Sequence, residues 1–250
     1  MRKVANTIRR YLNFQKLIRG IDLIREAPMD ELRNPDFMAA AVRGVGLQYD
    51  LRGSYGTDNA FMNYKADGLW QNPVQFANCL ILLADQGITS FLEVGTSRGW
   101  TASFMTAYLL RFEPGLKSVT VDLNRRFDFF PRIRNKIPLE YRDGKTSDDL
   151  RGSQFDLAFI DADHSFEWVQ RDYENVGRHA PCCMFHDIND DFVSDKGGNN
   201  GGVRRFWALL KEREPDAVFH EFNQHSCGAN CMGIGVRVRK PDGTGATLPK

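Results

Sequence analysis

The sequence has no apolar run approaching the ~18–20 residues that a membrane-spanning helix needs. Its first residues, MRKVANTIRRYLNF, lack an apolar stretch followed by small residues, so they do not read as a secretory signal and a cytoplasmic location is expected. Neither sign of charge is in excess: 33 Lys and Arg face 32 Asp and Glu, a net charge of +1. That balance leaves no protein-wide electrostatic footprint for nucleic acid. There is no CxxC pair, and the five cysteines (Cys79, Cys182, Cys183, Cys227, Cys231) are an odd count. Cys182 and Cys183 sit in an apolar run, where buried, reduced thiols are expected. Cys227 and Cys231, with His220 and His225 close by, can be drawn as a zinc site, but the spacing is not one of the usual ones. Internal repeats are absent, as are the lysine of a P-loop and the G-x-G-x-x-G of a dinucleotide fold.

What is present is a chain of 250 residues, 42% hydrophobic, long enough to bury a substantial core. Residues 4–25 place Val4, Ile8, Tyr11, Phe14, Ile18 and Ile21 at a helical period. Seven Lys or Arg against two acids between Met1 and Glu26 make the other face basic. Such a helix either lies on a membrane or RNA, or caps a domain or a homo-oligomer contact with a solvated face. Residues 27–68, rich in Pro and Gly, read as an irregular continuation of that cap.

From Asn72-Pro73, an N-cap followed by proline at the first helical position, the pattern becomes regular to about Gln86. Strand-like runs ITSFLEV, LKSVTVD, IPLEYRD, FDLAFID and APCCMFHD alternate with helices beginning near Gly99, Asn124, Thr146, Ser165 and Gly202. This predicts an α/β fold: a Rossmann-like, doubly wound, mostly parallel sheet covered on both faces. DAVFHEF and CMGIGVRVR follow without a helix between them, so they should form an antiparallel C-terminal hairpin, the last of seven strands. The expected organisation is a helical cap over 1–70, a main domain over 71–240 and a disordered tail over 241–250.

The stretch FLEVGTSRGWTASF follows a strand and opens a helix in the first βα unit. Its backbone N–H groups therefore face the crevice at the carboxyl ends of the strands. The spacing is Glu93-x-Gly95-x-x-x-Gly99, and Ser97 stands where a dinucleotide fold needs its second glycine. A phosphate loses ground, while an acid at the strand end suits a ligand with a positive amino group. The second strand ends in Asp122, 23 residues past Gly99, placed to accept from both hydroxyls of a ribose. The third ends in Asp143-Gly144-Lys145-Thr146, a turn suited to flank an adenine.

With VDLN, YRDGKTS, FDLAFIDADHSFEWVQRDYE and MFHDI, these residues resemble class I S-adenosylmethionine-dependent methyltransferases. The form is that of catechol O-methyltransferase-like enzymes, with a further likeness to the branch of cephalosporin-hydroxylase-type and sugar O-methyltransferase proteins. The resemblance covers roughly residues 70–240. It implies that Glu93, Gly95, Thr96, Ser97 and Gly99 wrap the methionine part of the cofactor. It also implies that Asp122 holds the ribose, and that Asp143 and Gly144 to Thr146 border the adenine.

Past the fourth and fifth strands stand Asp161, Asp163 and His164, and His186, Asp187 and Asp190. Neighbouring parallel strands bring both groups to the same crevice. Carboxylates and imidazoles there can bind a divalent cation, magnesium or manganese by the oxygens, with the histidines pulling towards manganese, iron or zinc. A cation would lower a hydroxyl's pKa and fix its oxygen opposite the methyl group. The resemblance implies that Asp161, His186 and Asp187 hold the metal, that Asp161 also touches the cofactor, and that His164 is the general base. The family's usual base is lysine and its post-strand pair Asp-Asn, so His186 orienting Asp187 stays open. Asp163 and His164 are also candidates to cap the helix at Ser165.

The stretch DKGGNNGG is either a substrate-gating lid or a plain loop, and Trp70, Trp100 and Phe192 either line an acceptor pocket or pack. The expected activity is methyl transfer to an oxygen of a small-molecule or sugar hydroxyl. The alternatives are a methyltransferase-fold protein that binds the cofactor without transfer, and a nicotinamide-dependent oxidoreductase, which Ser97 disfavours.

Overall fold

The computed structural model describes residues 2–47, 67–189, 201–223 and 232–239, with side chains from residue 7 onward. The strands are β1 (Ser90–Val94), β2 (Lys117–Asp122), β3 (Leu139–Asp143), β4 (Leu157–Ile160), β5 (Cys182–His186), β6 (Val218–Phe222) and β7 (Ile234–Val238). They form one sheet in the order β3-β2-β1-β4-β5-β7-β6. The first five are parallel, and β7 runs antiparallel to both β5 and β6. The expected hairpin is thus present, with β7 slotted between β5 and the edge strand β6. Winding outward in both directions from β1 and β4 opens a crevice at their carboxyl ends, the usual ligand position in such sheets.

Helices cover both faces. On one lie α1 (Arg2–Glu26), α2 (Pro35–Val45), α3 (Pro73–Leu83) and α4 (Trp100–Leu109), sharing a core with Phe91, Phe159 and Met184. On the other lie α6 (Phe166–Asn175) and α7 (Gly202–Arg213), packed through Tyr173, Phe206 and Trp207 onto Leu92, Ala158 and Phe185. Among the described residues no helix is long and apolar enough to cross a membrane.

Four expectations shift. Residues 27–68 are not irregular throughout: α2 starts at Asn34-Pro35, where Asn34 Oδ1 accepts from the N–H groups of Asp36 and Phe37. This is the same cap-and-proline signature that opens α3, where Asn72 accepts from Val74 and Gln75. The buried stripe of α1 runs through Phe14, Leu17, Ile21 and Ile24, whereas Ile8 and Tyr11 are exposed. The helix outruns its support at its first turns. The crossover after β2 holds only the four-residue α5 (Phe130–Ile133), because Asp122 Oδ1 takes the N–H of Asn124 and Phe127 packs its ring onto Gly99. The crossover after β3 is a single 3-10 turn, Ser147–Leu150, closed by a reciprocal cap between Thr146 and Asp149. The tail over 241–250, most of DKGGNNGG, Phe192, Asp190, Cys227, Cys231 and His225 lie outside the described residues.

Candidate active site

β1 delivers Glu93 to the sheet interior, where Thr120, opposite it on β2, donates to Oε2 at 2.6 Å. Thr96 Oγ1 lies 2.6 Å from the same Thr120 hydroxyl, so strand and turn are tied by one polar chain. Burial holds the Glu93 carboxyl well above the ordinary range, the Thr120 bond working against it. Its Oε1 is buried with no hydrogen-bond partner, an acceptor suited to a cationic amino group.

The turn after β1 is set by close approach. Gly95 has φ +107°, and a Cβ there would stand 2.1 Å from the carbonyl oxygen of Asp161. A side chain would push the β1 and β4 strand ends apart. Ser97 is left-handed, and its N–H donates to Asp122 Oδ2 at 2.7 Å. Asp122 therefore holds two loops at once, one per carboxylate oxygen, each oxygen keeping a further lone pair toward the crevice.

A cavity of about 450 Å³ opens there, walled by Gly95, Ser97, Asp122, Thr146, Asp161 and Trp168. That volume falls within the range of small-molecule sites. Asp143 instead faces a neighbouring cavity of about 310 Å³, 3.6 Å from Arg125 Nε, and Gly144 supplies the left-handed turn between the two. Lys145 lines the main cavity as well, and so do Arg126 and Asp172, which escaped the sequence reading. Asp172 had a signal: it lies on the inner face of α6, between Val169 and Val176, where an acid is out of place.

Asp161, first residue past β4, forms part of the cavity wall and of a polar cluster behind it. His164 Nε2 lies 3.4 Å from Asp161 Oδ1, and His164 Nδ1 lies 3.0 Å from Asp187 Oδ2. His186 Nδ1 lies 3.4 Å from Asp161 Oδ1 and 3.2 Å from Asp187 Oδ1. Gln71, just before the α3 cap, donates to Asp161 Oδ2 at 3.3 Å; nothing in the sequence pointed to it. Asp187 reaches the two imidazoles from a left-handed backbone, φ +62°, a conformation that Asp tolerates better than most residues.

Burial opposes charge on His186, but Asp187 and Asp161 outweigh it and raise its pKa to about 10. Burial likewise opposes charge on His164, and Asp161 and Asp187 hold its pKa well above the ordinary histidine value. Both carboxylates are held low by the imidazoles, despite their own burial. An ordinary histidine pKa, which made His164 an attractive base, does not survive this environment. His164 becomes basic at neutral pH where added positive charge offsets the two carboxylates.

Ligand atoms of Asp161, His164 and His186 lie within 4.8 Å of one another, a set able to take one cation. His186 fits such a role further, since neither buried ring nitrogen makes a hydrogen bond of good geometry. Of the expected metal ligands, Asp161 and His186 belong to this set and Asp187 does not; His164, expected as the base, stands in its place. Neither expected residue caps α6: its N-cap is Ser165, Asp163 accepts the Ser165 N–H at 2.9 Å in the turn before it, and His164 belongs to the cluster. Trp100 is buried as packing.

Residues 92–188 match the family model described as a methyltransferase domain. The part of the chain similar to a methyltransferase domain is thus residues 92–188. No curated protein matches the sequence. Among solved structures, the O-methyltransferase TomG from Streptomyces achromogenes, involved in tomaymycin synthesis and solved with S-adenosylmethionine, is similar at TM-score 0.52 and 19% identity. The match covers 69% of this chain and 82% of TomG. A putative O-methyltransferase from Klebsiella pneumoniae matches at TM-score 0.51 and 19% identity, over 70% of this chain and 83% of that one. At these identities the likeness is one of fold, and the sheet order above is its content. The matched segment runs from within β1 to just past β5, and so contains Glu93, Asp122, Asp161, His164, His186 and Asp187.

Proposed function

We propose that the protein is an S-adenosylmethionine-dependent O-methyltransferase acting on a small-molecule hydroxyl, with the Asp161, His164 and His186 group able to take a divalent cation, magnesium or manganese. The observation that carries this reading is the double position of Asp161. It walls the cavity suited to the cofactor and belongs to the acid–imidazole cluster, so methyl donor and deprotonating machinery meet at one carboxylate.

In this reading the Glu93 carboxylate faces the cofactor's amino group, Asp122 takes the ribose hydroxyls, and Lys145 and Thr146 border the adenine. A cation held by Asp161, His164 and His186 supplies Lewis acidity that lowers the acceptor hydroxyl's pKa. Asp187 would accept the Nδ1–H of His164, which leaves Nε2 as the nitrogen that would face the cation. Gln71 steadies the second oxygen of Asp161. In-line displacement then needs only that the acceptor oxygen be fixed opposite the methyl group. The buried thiols Cys79, Cys182 and Cys183 are unpaired, which supports a reducing, cytoplasmic setting.

The test is calorimetry with S-adenosylhomocysteine, followed by mass spectrometry of hydroxylated acceptors for the gain of one methylene unit. Binding and transfer are expected, with transfer lost in EDTA and restored by MnCl2 or MgCl2. Absence of homocysteine-adduct binding would sink the cofactor assignment, and full activity in EDTA would sink the cation.

A further inference from the structure

Helix α1 is apolar on two opposite sides. Its inner stripe, Phe14, Leu17, Ile21 and Ile24, is buried against the domain. On the solvent side Ile8 is 54% exposed, Leu12 56% and Leu23 44%. Ile8, Leu12, Lys16, Arg19 and Leu23 succeed one another at steps of three or four residues, so all five share one outer stripe. At the helical rise this stripe is about 22 Å long. Elsewhere among the described residues, apart from Tyr11 and Met29 beside it, the exposed large hydrophobic side chains are the scattered Leu123, Trp168 and Val218. Single exposed side chains are ordinary, whereas a contiguous stripe marks a surface that meets something.

The stripe is also positively charged. Lys16 and Arg19 are exposed, and neither has a carboxylate at salt-bridge distance among the described residues. The helix's own Asp22 is already held by Lys136 Nζ at 2.7 Å, and Glu26 follows the stripe as the last residue of α1. On the flank, the exposed Arg132 places its guanidinium 5.5 Å from the Tyr11 ring. The helix is no free arm: Phe14 stacks on Phe129 with ring centroids 4.3 Å apart, and Lys136 ties Asp22 to the domain. Whatever binds the outer stripe therefore holds the whole domain.

Charge decides between the occupants. A second copy fits poorly, because an antiparallel two-fold pairing has its axis between Gln15 and Lys16 and gathers Lys16 and Arg19 of both copies. A parallel pairing sets Arg19 against Arg19, and neither arrangement brings an acid between them. An RNA would match the cations but leave Ile8, Leu12 and Leu23 without apolar contact. An anionic bilayer surface answers both parts of the stripe. We propose that the outer face of α1 docks in the plane of an anionic lipid surface. Ile8, Leu12 and Leu23 enter the acyl boundary, and the stems of Lys16 and Arg19 carry their charges up to the headgroups.

The test is sedimentation of the full chain with vesicles of phosphatidylcholine alone and of equal parts phosphatidylcholine and phosphatidylglycerol, beside light scattering of the protein by itself. The chain should sediment with the anionic vesicles only, and added salt should release it. Lys16→Gln combined with Arg19→Gln should weaken that binding about tenfold or more. Leu12→Gln should weaken it as well, by removing the most exposed aliphatic anchor. All three side chains face solvent, so both variants should melt with wild type, which separates lost docking from lost folding. No binding to anionic vesicles, equal binding to neutral ones, or binding unchanged in both variants overturns the proposal. So does a wild-type dimer that Leu12→Gln dissociates, which would assign the face to a second copy. Uptake of poly-uridine RNA in place of vesicles would assign it to nucleic acid and overturn the proposal too.

Discussion

His164 Nδ1 lies 3.0 Å from Asp187 Oδ2, so the imidazole's far side is fixed by a carboxylate whose backbone is itself left-handed. An imidazole oriented in this way depends on its partner for both aim and tautomer. Asp187→Asn keeps a residue that tolerates the same backbone and removes the charge. Turnover should fall by about 10²–10³-fold. Affinity for S-adenosylhomocysteine should stay near wild type, because Asp187 is set back from the cavity wall. A proportionate loss of cofactor affinity would show that Asp187 supports the fold of the crevice and not the base.

In the proposed function Asp122 acts earlier in the sequence of events, on cofactor uptake. Its oxygens accept from Ser97 and Asn124 and also face the cavity, so Asp122→Ala removes a ribose acceptor and frees both loops. Loss of charged hydrogen bonds of this kind corresponds to a weakening of about 10–100-fold in S-adenosylhomocysteine affinity. Asp122→Asn, which keeps an acceptor but cannot serve both N–H groups equally, should fall between. Calorimetry separates these outcomes, and equal affinity in all three proteins would remove Asp122 from the cofactor site.

The mostly parallel sheet and the terminal hairpin were legible because strand runs and glycine turns carry their periodicity locally, whereas the order β3-β2-β1-β4-β5-β7-β6 was not. Glu93, Asp122 and Asp161 were legible for the same reason: each sits at a strand end, a position read directly from the run that precedes it. What sequence could not show was the pairing across elements. Asp187 reads as a ligand by its place after β5, yet a left-handed turn carries it behind His164 and His186. Gln71 reaches Asp161 through packing between distant segments, which leaves no local pattern. The histidine pKa failed as an argument for a similar reason. Its value is set by Asp161 and Asp187 together, and the latter is distant in sequence.

Gly95 tests whether the crevice tolerates any widening. The Cβ of Gly95→Ala would stand 2.1 Å from Asp161 O and 2.7 Å from Ala162 Cα, both backbone, in a left-handed conformation. Neither the contact nor the φ can relax by rotating a side chain, so the strand ends must move. The variant should lose S-adenosylhomocysteine binding and melt at a lower temperature. Unaltered binding by calorimetry would mean that β4 can yield there, and that Asp161 is less rigidly placed than its surroundings imply.

Asp172 provides a pH signature of the main cavity. Burial raises its carboxyl pKa to about 6, with the Ser147 bond working against the shift and Asp148 and Asp163 adding to it. The folded protein therefore binds this proton more tightly than the unfolded chain, whose aspartate titrates near the ordinary value of about 4. Stability from this group is fully present below pH ~4 and is lost as pH rises through the folded value near 6. A shift of about two units corresponds to up to about 3 kcal/mol. Asp172→Asn keeps an acceptor for Ser147 and removes the ionisation, so it should flatten the fall in melting temperature across that window. Above pH 7 the variant should melt higher than wild type. A wild-type melting curve that rises between pH 4 and 6, with the same slope in Asp172→Asn, would assign the window to other groups and leave Asp172 ionised and solvated in the cavity.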